Sequence, residues 1–211
     1  MIIQHVLKGF GEITDSEADA ILLSDGIQSN WLRNASVDIT EWGDRLTEHE
    51  LEWHLNHFDR VYPPTGRTYA DLSPFISTTA GVYERDPRTA DILPFDPLDT
   101  AVFFATDGSR CEGFVFYGYV FVLERPSIPL AGFSEEVRSL ISFPWWLPFH
   151  HEGEIAAKIH IPSCQLAKYE KYVPDADGGR QLVATSPPNP AYRPPADFSN
   201  VRGLAAVPPV R

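Results

Sequence analysis

Phe75-Ile76-Ser77-Thr78-Thr79 is two large apolar residues followed by three hydroxyl residues, and this composition predicts a short buried strand that ends in polar side chains. Hydroxyl residues also cap turns and helices as a matter of routine, so the stretch gains meaning only from its neighbours. Toward the N-terminus, Ile2 to Leu7 is rich in apolar and β-branched residues and reads as a strand stopped at Gly9, with Lys8 just before the glycine. Toward the C-terminus, Glu152-Gly153-Glu154 leads into a strand expected over Glu154 to Ile161. Side chains at i and i+2 of a strand point to one face. Glu152 and Glu154 would therefore stand side by side, and like charges that close raise the pKa of one of them. Two solvated glutamates at a strand start are the plain alternative, as an ordinary surface lysine is for Lys8.

The intervening chain reads as mixed α and β. Asp15-Ser16-Glu17 opens a helix that runs through Leu23 and closes at Gly26. A second helix is expected from Thr47 to Phe58, where Leu51, Leu55 and Phe58 fall at i, i+4 and i+7. Pro63-Pro64-Thr65-Gly66 is a turn. Gly81 to Asp99, broken by Pro87, Pro94 and Pro97, reads as an irregular loop of the kind that carries function. Thr100 to Ala105 fits helix or strand equally. Gly118 to Leu123 is a clear strand, and Ser134 to Ile141 reads as a short amphipathic helix. From Pro174 onward prolines crowd the sequence, which predicts an extended or disordered tail over residues 174–211 behind a domain over residues 1–173.

At 211 residues and 43% apolar, with 13 Phe, 8 Tyr and 5 Trp, the chain can build a core without disulfide or metal staples. A net charge of -12 repels polyanions, which disfavours nucleic acid as the main partner. Cys111 and Cys164 lack the spacing of a zinc ribbon or redox pair and read as reduced, partly buried thiols. His49, His54 and His57 share a predicted helix with Asp59 nearby, but His49 and His54 stand at i, i+5 rather than the i, i+4 of a zincin helix, so no metal is expected. No apolar run reaches membrane-spanning length, and the N-terminus lacks the pattern of a cleaved signal. The expectation is no membrane partner, with residence in the cytoplasm or export by a route that cleaves no signal peptide.

The order of these pieces resembles the mono-ADP-ribosyltransferase family of the R-S-E class. That family carries an arginine in its first strand, a Ser-Thr-Ser-like motif in a central strand and a late Glu-x-Glu. The matching residues are Leu7-Lys8-Gly9, Phe75-Ile76-Ser77-Thr78-Thr79 and Glu152-Gly153-Glu154, over roughly residues 1 to 170. Lys8 departs from the pattern: it keeps the charge of the arginine and loses its planar, bidentate donor geometry. His5 lies three residues earlier, and a related class uses a first-strand histidine, but next to glycine, which leaves Lys8 as the positional match.

The resemblance implies an α+β fold, with a split, mostly antiparallel β core and helices early in the chain. It implies NAD as substrate, no metal, transfer of ADP-ribose with release of nicotinamide, and hence a glycosyltransferase-class enzyme. The acceptor would be protein arginine first, then a small molecule, then nucleic acid, and a neutralising partner protein is compatible with the pattern. By resemblance Glu154 is the catalytic carboxylate, Ser77 orients it, and Glu152 engages the acceptor. Lys8, Gly9, Ser77 and Thr79 form the NAD wall; Tyr83, Arg85 and Arg88 sit in the loop that covers phosphate and nicotinamide; and Trp145, Trp146 and Phe149 belong to the acceptor loop. Two other readings of the same fold stay open: an NAD glycohydrolase, with water as acceptor, and a catalytically inactive binding module, which the lysine favours.

Overall fold

The structure is a computed structural model, and it describes residues 2–34, 42–80, 84–85, 92–93, 96–122, 134–136, 154–195 and 205–206. The backbone alone is described for residues 2, 42–43, 84–85, 92–93, 122, 134–136 and 205–206. Strand β1 (Ile2–Gly11) is followed by helix α1 (Asp15–Ala20), helix α2 (Glu48–Asn56), strand β2 (Phe75–Thr79) and helix α3 (Pro97–Ala105). Then come β3 (Gly113–Val122), β4 (Ser134–Glu136), β5 (Glu154–Lys158), β6 (Leu166–Pro174), β7 (Arg180–Thr185) and β8 (Ala205–Ala206). These strands form one sheet in the order β7-β6-β3-β4-β5-β2-β1-β8, and β1 pairs with β3 as well.

That extra pairing makes the core a split, mostly antiparallel one. Strand β1 runs against β3 over its whole length, from Ile2↔Val122 to Gly11↔Gly113. On its other edge it meets β2 through the one bridge Leu7↔Thr79. Beyond that bridge the two halves part, and the residues that follow Leu7 and precede Thr79 face the gap.

Strand β1 is buried on both faces because each packs against a different helix. Val6 joins Ala18, Leu22, Phe114 and Phe116 on one side; Leu7 joins Ala101, Val102, Ala105 and Val115 on the other. The second side explains its glycines. A Cβ on Gly9 would stand 2.2 Å from the Ala101 carbonyl oxygen, one on Gly11 2.9 Å and one on Gly113 2.0 Å from that of Ala105. Three missing side chains thus let α3 lie directly on the sheet.

Local signals set the helix starts. Thr14 and Glu17 form a capping box at α1, with Thr14 N donating to Glu17 Oε2 at 2.7 Å. The helix then widens into a π turn, Ile21–Asp25, that ends at Gly26 with φ 69°. Thr47 caps α2, and Asp96 caps α3 by accepting from Leu98 N at 2.8 Å, with Pro97 in the first turn. The undecided Thr100 to Ala105 is therefore helix, and its start lies inside the stretch expected to be loop.

One expected helix is corrected. Ser134–Glu136, the start of the helix expected over Ser134 to Ile141, is strand: it pairs parallel with β3 at Val122↔Ser134 and antiparallel with β5 from Ile155↔Glu136 to Ala157↔Ser134. Pairing with distant strands overrides the local preference of two glutamates for helix. Residues 137–141 lie outside the described residues. The strand expected over Glu154 to Ile161 ends at Lys158, breaks at Ile159 (φ 63°) and resumes at His160–Ile161 against Ile27–Gln28.

Strand β6 runs through to Pro174 and turns back into β7, so the chain crosses residue 173 inside an edge hairpin. It then lies along the domain, where Asn189 Nδ2 reaches the carbonyls of Leu22, Ser163 and Leu166 at 2.8–2.9 Å. Tyr119 donates to the Arg193 carbonyl at 2.8 Å. Cys111 and Cys164 are both free thiols.

Candidate active site

The register of three strands gathers the polar residues. Leu7↔Thr79 and Thr79↔Glu154 set one residue of β1, β2 and β5 in a row, and Ser77, two residues back on the same face of β2, stands opposite Ala156. Thr78 points the other way and ties β2 to β5 by donating to the Ile155 carbonyl at 2.7 Å. The row opens into a cleft of about 460 Å³, lined by Lys8, Gly9, Ser77, Thr79 and Glu154 from the strands, by His54, Leu55, Phe58 and Asp59 from α2 and the turn after it, and by Thr100, Ala101 and Phe104 from α3. The structure thus brings together Lys8, Gly9, Ser77, Thr79 and Glu154 of the residues marked in the sequence. Arg85 lies in a short strand, Glu84–Arg85, paired with Ile92–Leu93; its side chain is outside the description, as are Tyr83, Arg88, Trp145, Trp146, Phe149 and Glu152 altogether.

His54 is the residue that the sequence reading did not place here. It is 5% exposed and packs its ring against Phe58 and Phe75, with centroids 5.5 Å away in each case. Its Nδ1 lies 2.7 Å from Ser73 Oγ and its Nε2 2.9 Å from Ser77 Oγ, so two serines hold both ring nitrogens. The same Nε2 stands 3.4 Å from Glu154 Oε1. The signal in the sequence was the helix face: His54 follows Leu51, which is fully buried, by three residues.

Glu154 Oε1 is removed from water and has no hydrogen-bond partner among the described residues. Burial pushes the carboxyl up, but hydrogen bonding and charge from His54, the Ser77 hydroxyl and the charge of Lys8 outweigh it and hold the group below the ordinary carboxylate value. It is an anion whose Oε1 has only the His54 Nε2, at 3.4 Å, as a neighbouring donor, a state suited to face a developing positive charge. Lys8 shows the reverse balance. Burial lowers its ammonium most, Glu154 raises it, Arg33 lowers it again, and the result is about 8. Its Nζ lies 5.1 Å from the centroid of the Phe10 ring. For Gly9, the space a Cβ would need is taken by α3, so helix packing by itself requires a glycine there.

No family model matches the sequence, and no curated protein is similar to it at a significant level. Solved structures are similar in fold. EcPltA is 16% identical, with a TM-score of 0.50 over 90% of this chain and 88% of that one. An arginine-to-lysine mutant of heat-labile enterotoxin is 14% identical, with a TM-score of 0.45 over 96% of this chain and 82% of the other. A glutamate-to-glutamine mutant of the mosquitocidal toxin catalytic domain from Bacillus sphaericus is 16% identical, with a TM-score of 0.43 over 97% and 64%. The split sheet with its few helices is the fold of the ADP-ribosyltransferase-like toxins.

Proposed function

We propose that this chain cleaves NAD at the bond between nicotinamide and ribose and transfers the ADP-ribose to an acceptor, protein arginine first among them. The observation that carries the reading is the ionised Glu154 carboxylate in the wall of the cleft, its Oε1 3.4 Å from His54 Nε2, with Ser77 beside both. NAD is an N-glycoside, and as nicotinamide departs positive charge builds on the ribose. Carboxylates stabilise such oxocarbenium-like states. Glu154 would accept from the ribose 2′-hydroxyl and face that charge; Ser77 and His54 would fix its orientation; Lys8 would meet the phosphates; the backbone of Gly9 would meet the nicotinamide carboxamide. Glu152 would engage the acceptor as base or as hydrogen-bond acceptor, with Trp145, Trp146 and Phe149 as its docking surface and Tyr83, Arg85 and Arg88 in the covering loop. Cytoplasmic residence, or export without a cleaved signal, and a neutralising partner protein belong to the same proposal.

The test is nicotinamide release from NAD by the pure protein and by Glu154→Gln, with and without cell extract. Release that is lost in the variant and stimulated by extract is the expected outcome. Release that ignores extract would make the protein an NAD glycohydrolase. Well-folded protein that releases no nicotinamide under either condition would make it an inactive binding module.

A further inference from the structure

A dinucleotide brings two phosphates, and Lys8 brings one compact charge without the fork that grips phosphate bidentately. A second cation stands close by. A hollow of about 180 Å³ is lined by Phe10, Gly26, Ile27, Gln28 and Arg33, among others. Phe10 and Lys8 share a face of β1, and the Lys8 Nζ lies 5.1 Å from the Phe10 ring centroid while Lys8 also lines the larger cleft. Phe10 thus lies near the Lys8 ammonium and lines the same hollow as Arg33.

The base of Arg33 is firmly held. Its short helix, Asn30–Asn34, is tied to the domain by Ser29 N to the Ile159 carbonyl at 2.8 Å, Trp31 N to that of Ser73 at 3.0 Å, and Asn30 Nδ2 to that of Ala70 at 2.8 Å. The guanidinium donates to Asn30 Oδ1, a neutral acceptor. Among the described residues no carboxylate forms an ion pair with Arg33 or with Lys8. The two carboxylates on the hollow are otherwise engaged, Glu17 by the capping box at Thr14 and Asp25 by Ser24 Oγ at 2.7 Å. The charge of Arg33 is felt at Lys8, where it helps to lower the ammonium. On a chain of net charge -12, two cations close enough for one to act on the other, neither in an ion pair with a carboxylate among the described residues, suit an anion.

We propose that Arg33 and Lys8 together hold the diphosphate of the dinucleotide, with Arg33 supplying from the Asn30–Asn34 helix the planar donor pair that the first strand lacks. This rests on the NAD reading above.

The experiment is calorimetric titration of the full chain, wild type, Arg33→Ala and Arg33→Lys, with ADP and separately with nicotinamide. Arg33 is exposed and its guanidinium makes one hydrogen bond among the described residues, to Asn30, so both variants are expected to fold. Loss of a charge-assisted contact should weaken ADP binding by roughly 10- to 100-fold in Arg33→Ala. Arg33→Lys should recover part of it, and nicotinamide binding should be the same in all three. Equal ADP affinity in wild type and Arg33→Ala would overturn the proposal, and so would a wild type that binds no ADP. Arg33-dependent ADP binding by a protein that never releases nicotinamide from NAD would uphold the diphosphate pair and overturn the transferase reading.

Discussion

His54 Nε2 stands 3.4 Å from Glu154 Oε1, although the two residues come from a helix and a strand a hundred positions apart in the chain. The contact exists because Ser73 and Ser77 hold the imidazole at both nitrogens, at 2.7 and 2.9 Å. His54 thereby becomes the largest of the influences that favour the Glu154 anion over its burial. Replacing His54 by Ala should raise the Glu154 pKa. Glu154 is expected to be active as the carboxylate, so activity is lost as pH falls through its folded pKa, and that acid limb should move to higher pH in the variant. The buried Ser73 hydroxyl would also lose a partner, at a cost of about 1–3 kcal/mol where water cannot replace it, as would the half-buried Ser77 hydroxyl on the cleft, at less cost. A pH–rate profile of nicotinamide release beside a thermal melt checks both. An unmoved acid limb would show that His54 acts on packing alone.

Lys8 sets the alkaline limb. Its ammonium titrates at about 8, against 10.5 for an ordinary lysine, because burial outweighs the attraction of Glu154. Charge, and with it NAD affinity, should therefore fall as pH rises through about 8. The linked effect on stability has the opposite sign: between about 8 and 10.5 the unfolded chain binds more protons than the folded one, so this group makes the fold more stable as pH rises. Lys8→Arg keeps its charge throughout this range, and KM for NAD in that variant should stay level from pH 7 to pH 9.5, roughly the window on either side of the lysine titration. A wild-type KM that is flat across the same range would refute the assignment.

The ends of three strands were legible in the sequence and the helices around them less so. Phe75–Thr79 announces itself by composition, and β1 and β5, which pair with it on either side, carry Lys8 and Glu154. His54 was hidden because, as one of three histidines on its helix, it reads in the sequence only as a candidate metal ligand; its spacing from Leu51 is what marks it as inward-facing. Helix α3 was hidden by Pro97, which reads as a breaker when counted with Pro87 and Pro94 and as a helix start when read with Asp96 before it. Ser134–Glu136 had no local signal at all, since a three-residue strand is made by its partners.

Gly9→Ala tests how α3 is seated. The new Cβ would begin 2.2 Å from the Ala101 carbonyl oxygen, which is backbone and can yield only if the whole helix shifts. Overpacking of this kind costs about 1–3 kcal/mol, and because Thr100, Ala101 and Phe104 line the cleft, ligand affinity should fall with it. Gly66→Ala is the control. Gly66 has φ 68° and open space around it, so it should lose about 1–2 kcal/mol through backbone strain and leave the cleft untouched. Denaturation midpoints and NAD affinity for both variants separate the two effects; unchanged affinity in Gly9→Ala would mean that the helix accommodates the methyl group without moving the cleft wall.

Glu50 tests what holds α2, and hence His54, in place. It is 4% exposed and lies one turn before His54 on the same helix. Its carboxylate accepts from the Tyr62 hydroxyl at 2.8 Å and the Tyr69 hydroxyl at 2.6 Å, and pairs with Arg45 Nη1 at 2.9 Å. Removing one partner of a buried ion pair leaves the other uncompensated, which costs about 3–5 kcal/mol. Glu50→Ala should lose that much, since it takes the carboxylate from the Arg45 guanidinium and the Tyr62 hydroxyl at once, while Tyr69 keeps the Glu50 carbonyl at 2.6 Å. Glu50→Gln keeps an acceptor oxygen of nearly the same shape and should lose less, about 1–3 kcal/mol. Urea unfolding gives the two values. Because none of these groups lines the cleft, nicotinamide release per folded molecule should stay close to wild type in Glu50→Gln. Equal stability of Glu50→Ala and wild type would show that α2 is held by its apolar face alone, through Leu51 against Phe75 and Ala156.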